Sequence, residues 1–224
     1  MKRLTIVIPS KNEGKTLIKC LSLLELQTEN FDIIIADSSD IQDIELHEYV
    51  KEKFHIRIID GGLPSVARNK GFDLVQTPYV LFLDADIMLY DTKILETCIQ
   101  RMNEYELISC VYKCDDNKYN YVWKFYHIIQ KIMSETFVVG GFQLWNVQKF
   151  KEYGKFDINI KVAEDWMLSR KVKKHKHKLI DRYIYTSGRR FKNKGVMWML
   201  YLMLNSWINR NNIKWFYKSH NYWS

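Results

Sequence analysis

The sequence predicts an α/β fold, with a mostly parallel central sheet flanked by helices, and three observations carry that prediction. Four short runs, at residues 4–8, 31–36, 56–59 and 79–83, are dominated by β-branched and large apolar residues without strict alternation, as strands buried on both faces are. Stretches with apolar residues at helical spacing separate them. Each run also ends in a polar cluster, the usual mark of a strand giving way to a loop.

The first strand, LTIVI, is closed by Pro9, and the polar turn SKNEG leads into the helical pattern TLIKCLSLLEL. The second strand, FDIIIA, is followed by the turn DSSD and a helix expected over 44–54. A third strand at 56–59 meets Asp60-Gly61-Gly62, a helix is expected over 65–74, and the fourth strand, YVLFL, runs into Asp84-Ala85-Asp86. Ligands of such sheets bind beyond the carboxyl ends of the strands, so residues 10–13, 37–40, 60–62 and 84–86 should converge. The second half is less regular. Residues 119–137 form an aromatic-rich helical stretch, Gly140 and Gly141 break it, a helix is expected over 164–173, and another over 196–216.

Composition bounds the function. Forty-seven per cent of the 224 residues are hydrophobic and three are proline, which excludes a disordered or low-complexity chain. The net charge of +8 suits anionic partners, and its excess lies after Arg170, in KVKKHKHK and GRRFKNK. KVKKHKHK reads as a solvated helix end, with contact to anionic lipid as the alternative. Of the four cysteines, Cys110 and Cys114 are close in sequence, but no second pair completes a zinc site, so all read as reduced thiols. The N-terminal apolar run is too short for a signal-peptide core, which makes the cytoplasm the expected compartment. The longest apolar run of the last helix, 196–204, falls well short of the roughly 20 residues that span a bilayer.

Asp84 and Asp86, at i and i+2 of a strand end, point to one side and offer hard oxygen ligands for Mg2+ or Mn2+ shared with substrate phosphates. A strand-ending turn whose aspartate caps the next helix uses the same residues, and both readings stand on the motif alone. The segments VIPSKNEG, IIIADSSD, ARNKGFDLVQTPYVLFLDAD and AEDWMLSRKV occur in the order and spacing of family 2 glycosyltransferases, and the resemblance runs from residue 5 to residue 191. It implies a Rossmann-like nucleotide-diphospho-sugar transferase domain of the A type over residues 1–191. Residues 1–115 would bind the nucleotide sugar, residues 116–191 the acceptor, and residues 192–224 would form an amphipathic helical extension.

The resemblance also implies roles. Asp86 would be the main metal ligand, with Asp84 on the ribose or the metal shell and Ala85 between them in the donor site. Pro9, Ser10 and Glu13 would lie near the nucleoside, and Asp37 would accept a hydrogen bond from the base. Arg68 would sit near base and diphosphate, where a guanidinium suits phosphate oxygens. Asp165 would be the general base of an inverting transfer and Glu164 would orient the acceptor, although both also fit simple helix capping. Arg189 and Arg190, in YTSGRRF, resemble a TSxRR element and would face the departing diphosphate. Gly141 and Trp145 match the acceptor-side loop, and a tight turn with a buried tryptophan is the competing reading.

The implied donor is a nucleotide-diphospho-sugar, a UDP-sugar in the favoured case, and the acceptor is a hydroxyl of a glycan or lipid-linked molecule. Many A-type transferases place a metal-binding histidine late in the domain. Here His175 and His177 lie earlier, in the lysine-rich run, which leaves a third protein ligand unassigned. Aromatic and basic residues interleave in the last helix, which fits an interfacial helix at the inner face of a membrane and equally a helix packed on its own domain or on a second subunit. Nucleic acid is not among the expected partners. A nucleotidyltransferase, or a non-catalytic nucleic-acid or membrane-binding module, is the alternative reading, although SKNEG lacks the glycine-rich basic loop of the first.

Overall fold

Strands β1 (Leu4–Ser10), β2 (Phe31–Asp37), β3 (Ile56–Asp60) and β4 (Tyr79–Leu83) form where the apolar runs predict them. The computed structural model describes residues 2–53 and 55–220. Met1, at the basic N-terminal start, Phe54, at the end of the second expected helix, and residues 221–224 of the expected extension lie outside the described residues. The four strands pair in parallel in the order β3-β2-β1-β4. Helices α1 (Gly14–Leu24), α2 (Ile44–Val50) and α3 (Pro64–Phe72) connect them. The chain steps outward from β1 to β3 and then returns to the other side of β1, so the β1–β4 boundary is the switch point at which α/β sheets open a crevice.

Alternate residues of each strand feed opposite cores. Ile6 and Ile8 of β1 pack with Leu17, Leu21 and Leu24 of α1, whose spacing places them on one helical stripe. Val7 faces the other way, with Phe72 of α3 and Phe82 of β4. Gly71 is what lets α3 approach β1, because a Cβ there would stand 2.4 Å from Val7 Cγ1. Pro64 starts α3, where its missing N–H removes no helical bond.

The rest of the chain adds β5 (Ile87–Met88), α4 (Ile94–Arg101), β6 (Leu107–Cys114), α5 (Asn120–Ile132), β7 (Phe142–Asn146), α6 (Val147–Glu152), α7 (Glu164–Ser169), β8 (His177–Thr186), α8 (Arg189–Lys194), α9 (Val196–Ile208) and α10 (Ile213–Phe216). The full sheet order is β3-β2-β1-β4-β7-β6-β8-β5, with β7 antiparallel to both β4 and β6. The sheet is therefore mixed. All four cysteines are free and buried.

Several expected elements end elsewhere, for physical reasons. The helix expected over 119–137 is α5 alone, and that expected over 164–173 stops at Ser169, where Val172 turns its carbonyl to Thr136 Oγ1 at 2.7 Å. KVKKHKHK is not a helix end: its last two residues open β8, and His177 Nε2 lies 2.8 Å from Ser109 Oγ of β6. Burial, and then the charge of Lys174, push the His177 imidazole down to about 4.

The single helix expected over 196–216 is divided into α9 and α10. The break falls in an Asn-Arg-Asn-Asn stretch, whose side chains compete with the helical backbone; Asn209 donates from Nδ2 to the Asn205 carbonyl at 2.9 Å. Phe216 of α10 is fully buried beside Trp166 of α7, so the C-terminal segment folds back on the domain. No helix among the described residues is long and apolar enough to cross a membrane.

Candidate active site

The polar loops at the carboxyl ends of β1, β2 and β3 are tied to one another. The Ser38 N–H donates to the Ser10 carbonyl at 2.8 Å, and the Gly61 N–H donates to the Asp37 carbonyl at 2.7 Å. Asn12 adopts φ 56°, a left-handed conformation that asparagine tolerates, and it exchanges hydrogen bonds with Asp40. Asp37 accepts from Ser39 Oγ at 2.8 Å, and Ser39 Oγ accepts from the Asn12 N–H at 2.8 Å. Gly61 is obligatory here, since a Cβ would stand 2.3 Å from Ser38 Oγ and 2.7 Å from the Ala36 carbonyl. The result is a preformed ledge beside β1 carrying Pro9, Ser10, Glu13 and Asp37.

Arg68 is the hub of the opposite wall. Its side chain is 5% exposed and bridges two elements distant in sequence: Nη2 donates to Asp84 Oδ1 at 2.7 Å and Nη1 to Glu164 Oε1 at 2.5 Å. Its guanidinium also stands 5.5 Å from the centre of the Phe156 ring. Burial works against its charge, but Asp84, Glu164 and Asp165 outweigh that and hold it above its ordinary value.

Asp165 completes this group. A Cβ on Gly140 would lie 2.9 Å from Asp165 Oδ2 and 3.0 Å from Arg68 Nη2, so the glycine occupies the gap between the carboxylate and the arginine. Burial, and then the neighbouring Glu164 charge, push the Asp165 carboxyl up to about 7 against the pull of Arg68. The chain enters α7 through Ala163 at φ 57°, a conformation costing a non-glycine residue on the order of 1 kcal/mol.

Asp84 and Asp86 sit on a β-turn just beyond β4, closed by the Ile87 N–H on the Asp84 carbonyl at 3.1 Å. Asp84 is engaged with Arg68, whereas Asp86 lines a cavity of about 280 Å³ with Lys15 and Lys19 of α1, Tyr185 and Thr186 of β8, and Ser187. Burial, then the charges of Asp84 and Glu13, push the Asp86 carboxyl up to about 7, and Arg190 and Arg189 pull it down. A crowded acid of this kind fits a divalent cation, because its oxygens carry charge that the protein only partly neutralises. Among the described residues no group of three or more His, Cys, Asp or Glu is arranged to hold a metal. Arg189 of α8 meets Glu13 in a two-point ion pair, with Nη2 at 2.6 Å from Oε1 and Nη1 at 3.2 Å from Oε2. Two residues expected to face the nucleotide therefore face each other.

The fold brings Glu13, Arg68, Asp84, Asp86, Glu164, Asp165, Arg189 and Arg190 into one neighbourhood, and the buried Ala85 anchors the turn in the core. It does not bring Trp145. That ring is fully buried in the core beneath β7, 5.6 Å from the Phe150 ring, and its Nε1 donates to Gln143 Oε1 at 3.0 Å. The buried-tryptophan reading holds, and stacking on a sugar is corrected. Gly141 is also buried, packed on Ile87 and Tyr112, and its carbonyl accepts the Asp84 N–H at 3.1 Å. Gly140 is the glycine that lies against Asp165. It was legible only as half of a Gly-Gly pair, and Lys15 and Lys19 only as helix-surface lysines.

A mixed sheet in this order, with acidic turns gathered at its switch point, defines the A-type fold of nucleotide-diphospho-sugar transferases. The chain belongs to glycosyl transferase family 2, whose model matches residues 5–177. It is 23% identical to the glycosyltransferase GlyG of Streptococcus pneumoniae over 226 residues, covering 96% of this chain and 70% of that one. Among solved structures it resembles S. aureus TarS in complex with UDP-GlcNAc, with a TM-score of 0.65, 17% identity, and coverage of 84% of this chain and 58% of that one. The mannosyltransferase PcManGT of Pyrobaculum calidifontis, in complex with GDP-Man and Mn2+, gives a TM-score of 0.66, 16% identity, and coverage of 82% and 56%. Four other curated relatives match over 37–41% of this chain and only 13–30% of their own length.

Proposed function

We propose that this protein is an inverting, metal-dependent glycosyltransferase that moves a sugar from a nucleotide-diphospho-sugar to a hydroxyl of a glycan or lipid-linked acceptor. The observation that carries the reading is the Arg68 bridge, which ties Asp84 of the donor turn to Glu164 beside Asp165. One side chain thereby sets the spacing between the donor corner and the base. Residues 1–115 serve the donor and 116–191 the acceptor, with 192–224 as an appended segment.

The ledge of Pro9, Ser10, Glu13 and Asp37 takes the nucleoside, with the Asp37 carboxylate accepting from the base. Asp86, with Asp84, would hold Mn2+ or Mg2+, and the cation when bound would supply positive charge against the diphosphate. Asp165 takes the proton of the acceptor hydroxyl as its oxygen bonds to the anomeric carbon. The bond from that carbon to the diphosphate breaks on the opposite face, which inverts the configuration. Arg189 exchanges Glu13 for the departing diphosphate, and Arg190 adds charge beside it. Glu164 orients the acceptor side through its bond to Arg68, and Gly140 with Gly141 keeps the backbone low there.

Two expected results test this reading. A screen of UDP-, GDP-, dTDP- and CMP-sugars by thermal unfolding should find one that, with Mn2+ and at a hundredfold its Kd, raises Tm by roughly 5–10 °C. Asp86→Ala should abolish the metal-dependent part of that shift. An unchanged shift in the variant would remove Asp86 from the metal.

The second is a pH dependence. A base whose pKa lies at about 7 is protonated and idle below it, so kcat at saturating donor should rise through pH 7 and fall about tenfold per unit well below it. A flat profile between pH 5.5 and 8.5 would exclude the assignment.

A further inference from the structure

Helices α5 and α9 are each thirteen residues long, and each buries only a narrow stripe. On α5 the buried residues are Val122, Tyr126 and Gln130; on α9 they are Leu202 and Ser206. The opposite stripe of α5 consists of Tyr121, Phe125, Ile128 and Ile132, each half to three-quarters exposed. That of α9 consists of Met197, Tyr201, Leu204 and Ile208, equally exposed. Both follow the spacing i, i+4, i+7, i+11, which is one straight line on a helix, and large apolar side chains in that pattern normally face a core.

The two helices share a flank of the molecule. Met133 and Phe137, just beyond α5, pack in the cluster that holds Leu202, and Trp123 of α5 meets Phe191 of α8, which leads into α9. Lys124 and Lys131 project beside the α5 stripe, and Lys192, Lys194 and Lys214 flank the ends of α9, while Arg210 there is paired with Glu135. Neither helix contains an acidic residue, and Asp181 is the one acid beyond Asp165.

We propose that the exposed stripes of α5 and α9 form one docking face for an anionic lipid bilayer. The charge pattern selects this occupant. A two-fold contact with a second copy would set the same lysines against each other with no carboxylate on either helix to pair them. An anionic headgroup layer accepts the basic rim while the apolar stripes enter the acyl boundary, and Tyr121, Tyr201 and Trp207 carry the mixed character favoured at that depth. The face goes beyond the C-terminal segment, because α5 lies within the domain itself. It also complements a lipid-linked acceptor while standing apart from the transfer chemistry.

The test is co-sedimentation of the full chain at low salt with vesicles of phosphatidylcholine, and of phosphatidylcholine with 30% phosphatidylglycerol. The protein should partition onto the anionic vesicles at least tenfold more strongly than onto the neutral ones. Phe125→Glu/Ile132→Glu on α5, and separately Tyr201→Glu/Leu204→Glu on α9, should each reduce that binding about tenfold or more. Phe125→Ser/Ile132→Ser removes apolar area without adding charge and should give a smaller loss in the same direction. Circular dichroism and the nucleotide-dependent Tm shift should match the parent in every variant, so that a failed transferase reading and a failed docking face are told apart. Equal binding to neutral vesicles, no binding to anionic ones, or α5 variants that bind as the parent would overturn the proposal. So would a dimer, seen by light scattering, that the same substitutions dissociate.

Discussion

Asp165→Asn is expected to lower kcat for sugar transfer between about 10²- and 10⁴-fold, the range lost when a positioned general base is removed. The substitution is close to isosteric, which matters because Gly140 and Arg68 lie close against the carboxylate. The asparagine Oδ1 still accepts the Trp166 N–H that Asp165 Oδ1 accepts at 2.6 Å. Arg68 keeps Asp84 and Glu164 as partners, so the donor corner should hold its shape. Donor affinity, read from the metal-dependent Tm shift, should therefore stay within a few-fold of the parent while turnover collapses. The step in kcat near pH 7 should disappear with it. A variant turning over within tenfold of the parent would require another base, and none of the other described carboxylates close to Arg68 is free of it: Asp84 and Glu164 each spend an oxygen on the guanidinium.

The first half of the molecule was legible because its physics is local. Apolar runs such as residues 31–36 form strands wherever both faces are covered, and parallel pairing then forces their polar ends together. The second half depends on contacts that no short window contains. β7 was missed because Gln143 interrupts its apolar run; only in the fold does that amide find the Val138 carbonyl and the Trp145 indole, which make its burial tolerable. β8 was missed because its first residues are lysine and histidine, and their strand conformation comes from pairing with β6.

The site shows the same division. Asp84, Asp86 and Asp165 could be named from motifs. That Asp84 spends an oxygen on Arg68, and that Glu13 and Arg189 pair across 176 positions, are properties of the assembled loops. Trp145 is buried because β7 lies inside the sheet with both faces covered, Phe142 and Leu144 in one core and Trp145 in the other, and nothing in GGFQLW states that the segment is an interior strand.

Arg68→Met should be the most damaging single substitution to stability. It keeps much of the apolar stem that packs near Phe156 and removes the guanidinium that Glu164, whose side chain is 7% exposed, meets at 2.5 Å. Stripping one member from a buried ion pair leaves an uncompensated charge and costs about 3–5 kcal/mol. For a chain of this size that corresponds to a fall in Tm of roughly 6–20 °C. The sign of its pH dependence follows from linkage. Without Arg68 nothing of its charge opposes the burial that raises the Asp165 carboxyl, which then holds its proton more tightly when folded than when unfolded, so stability falls as pH rises through that raised folded value and is regained as pH drops. The deficit relative to the parent should thus be larger at pH 8 than at pH 5. Arg68→Lys restores a charge but not the fork that reaches two carboxylates at once, so it should recover part of the stability and little of the turnover. Urea unfolding at the two pH values measures the first effect and kcat the second. Equal deficits at both pH values would mean that Arg68 acts by packing alone, and that the spacing between donor turn and base is set by something other than its two ion pairs.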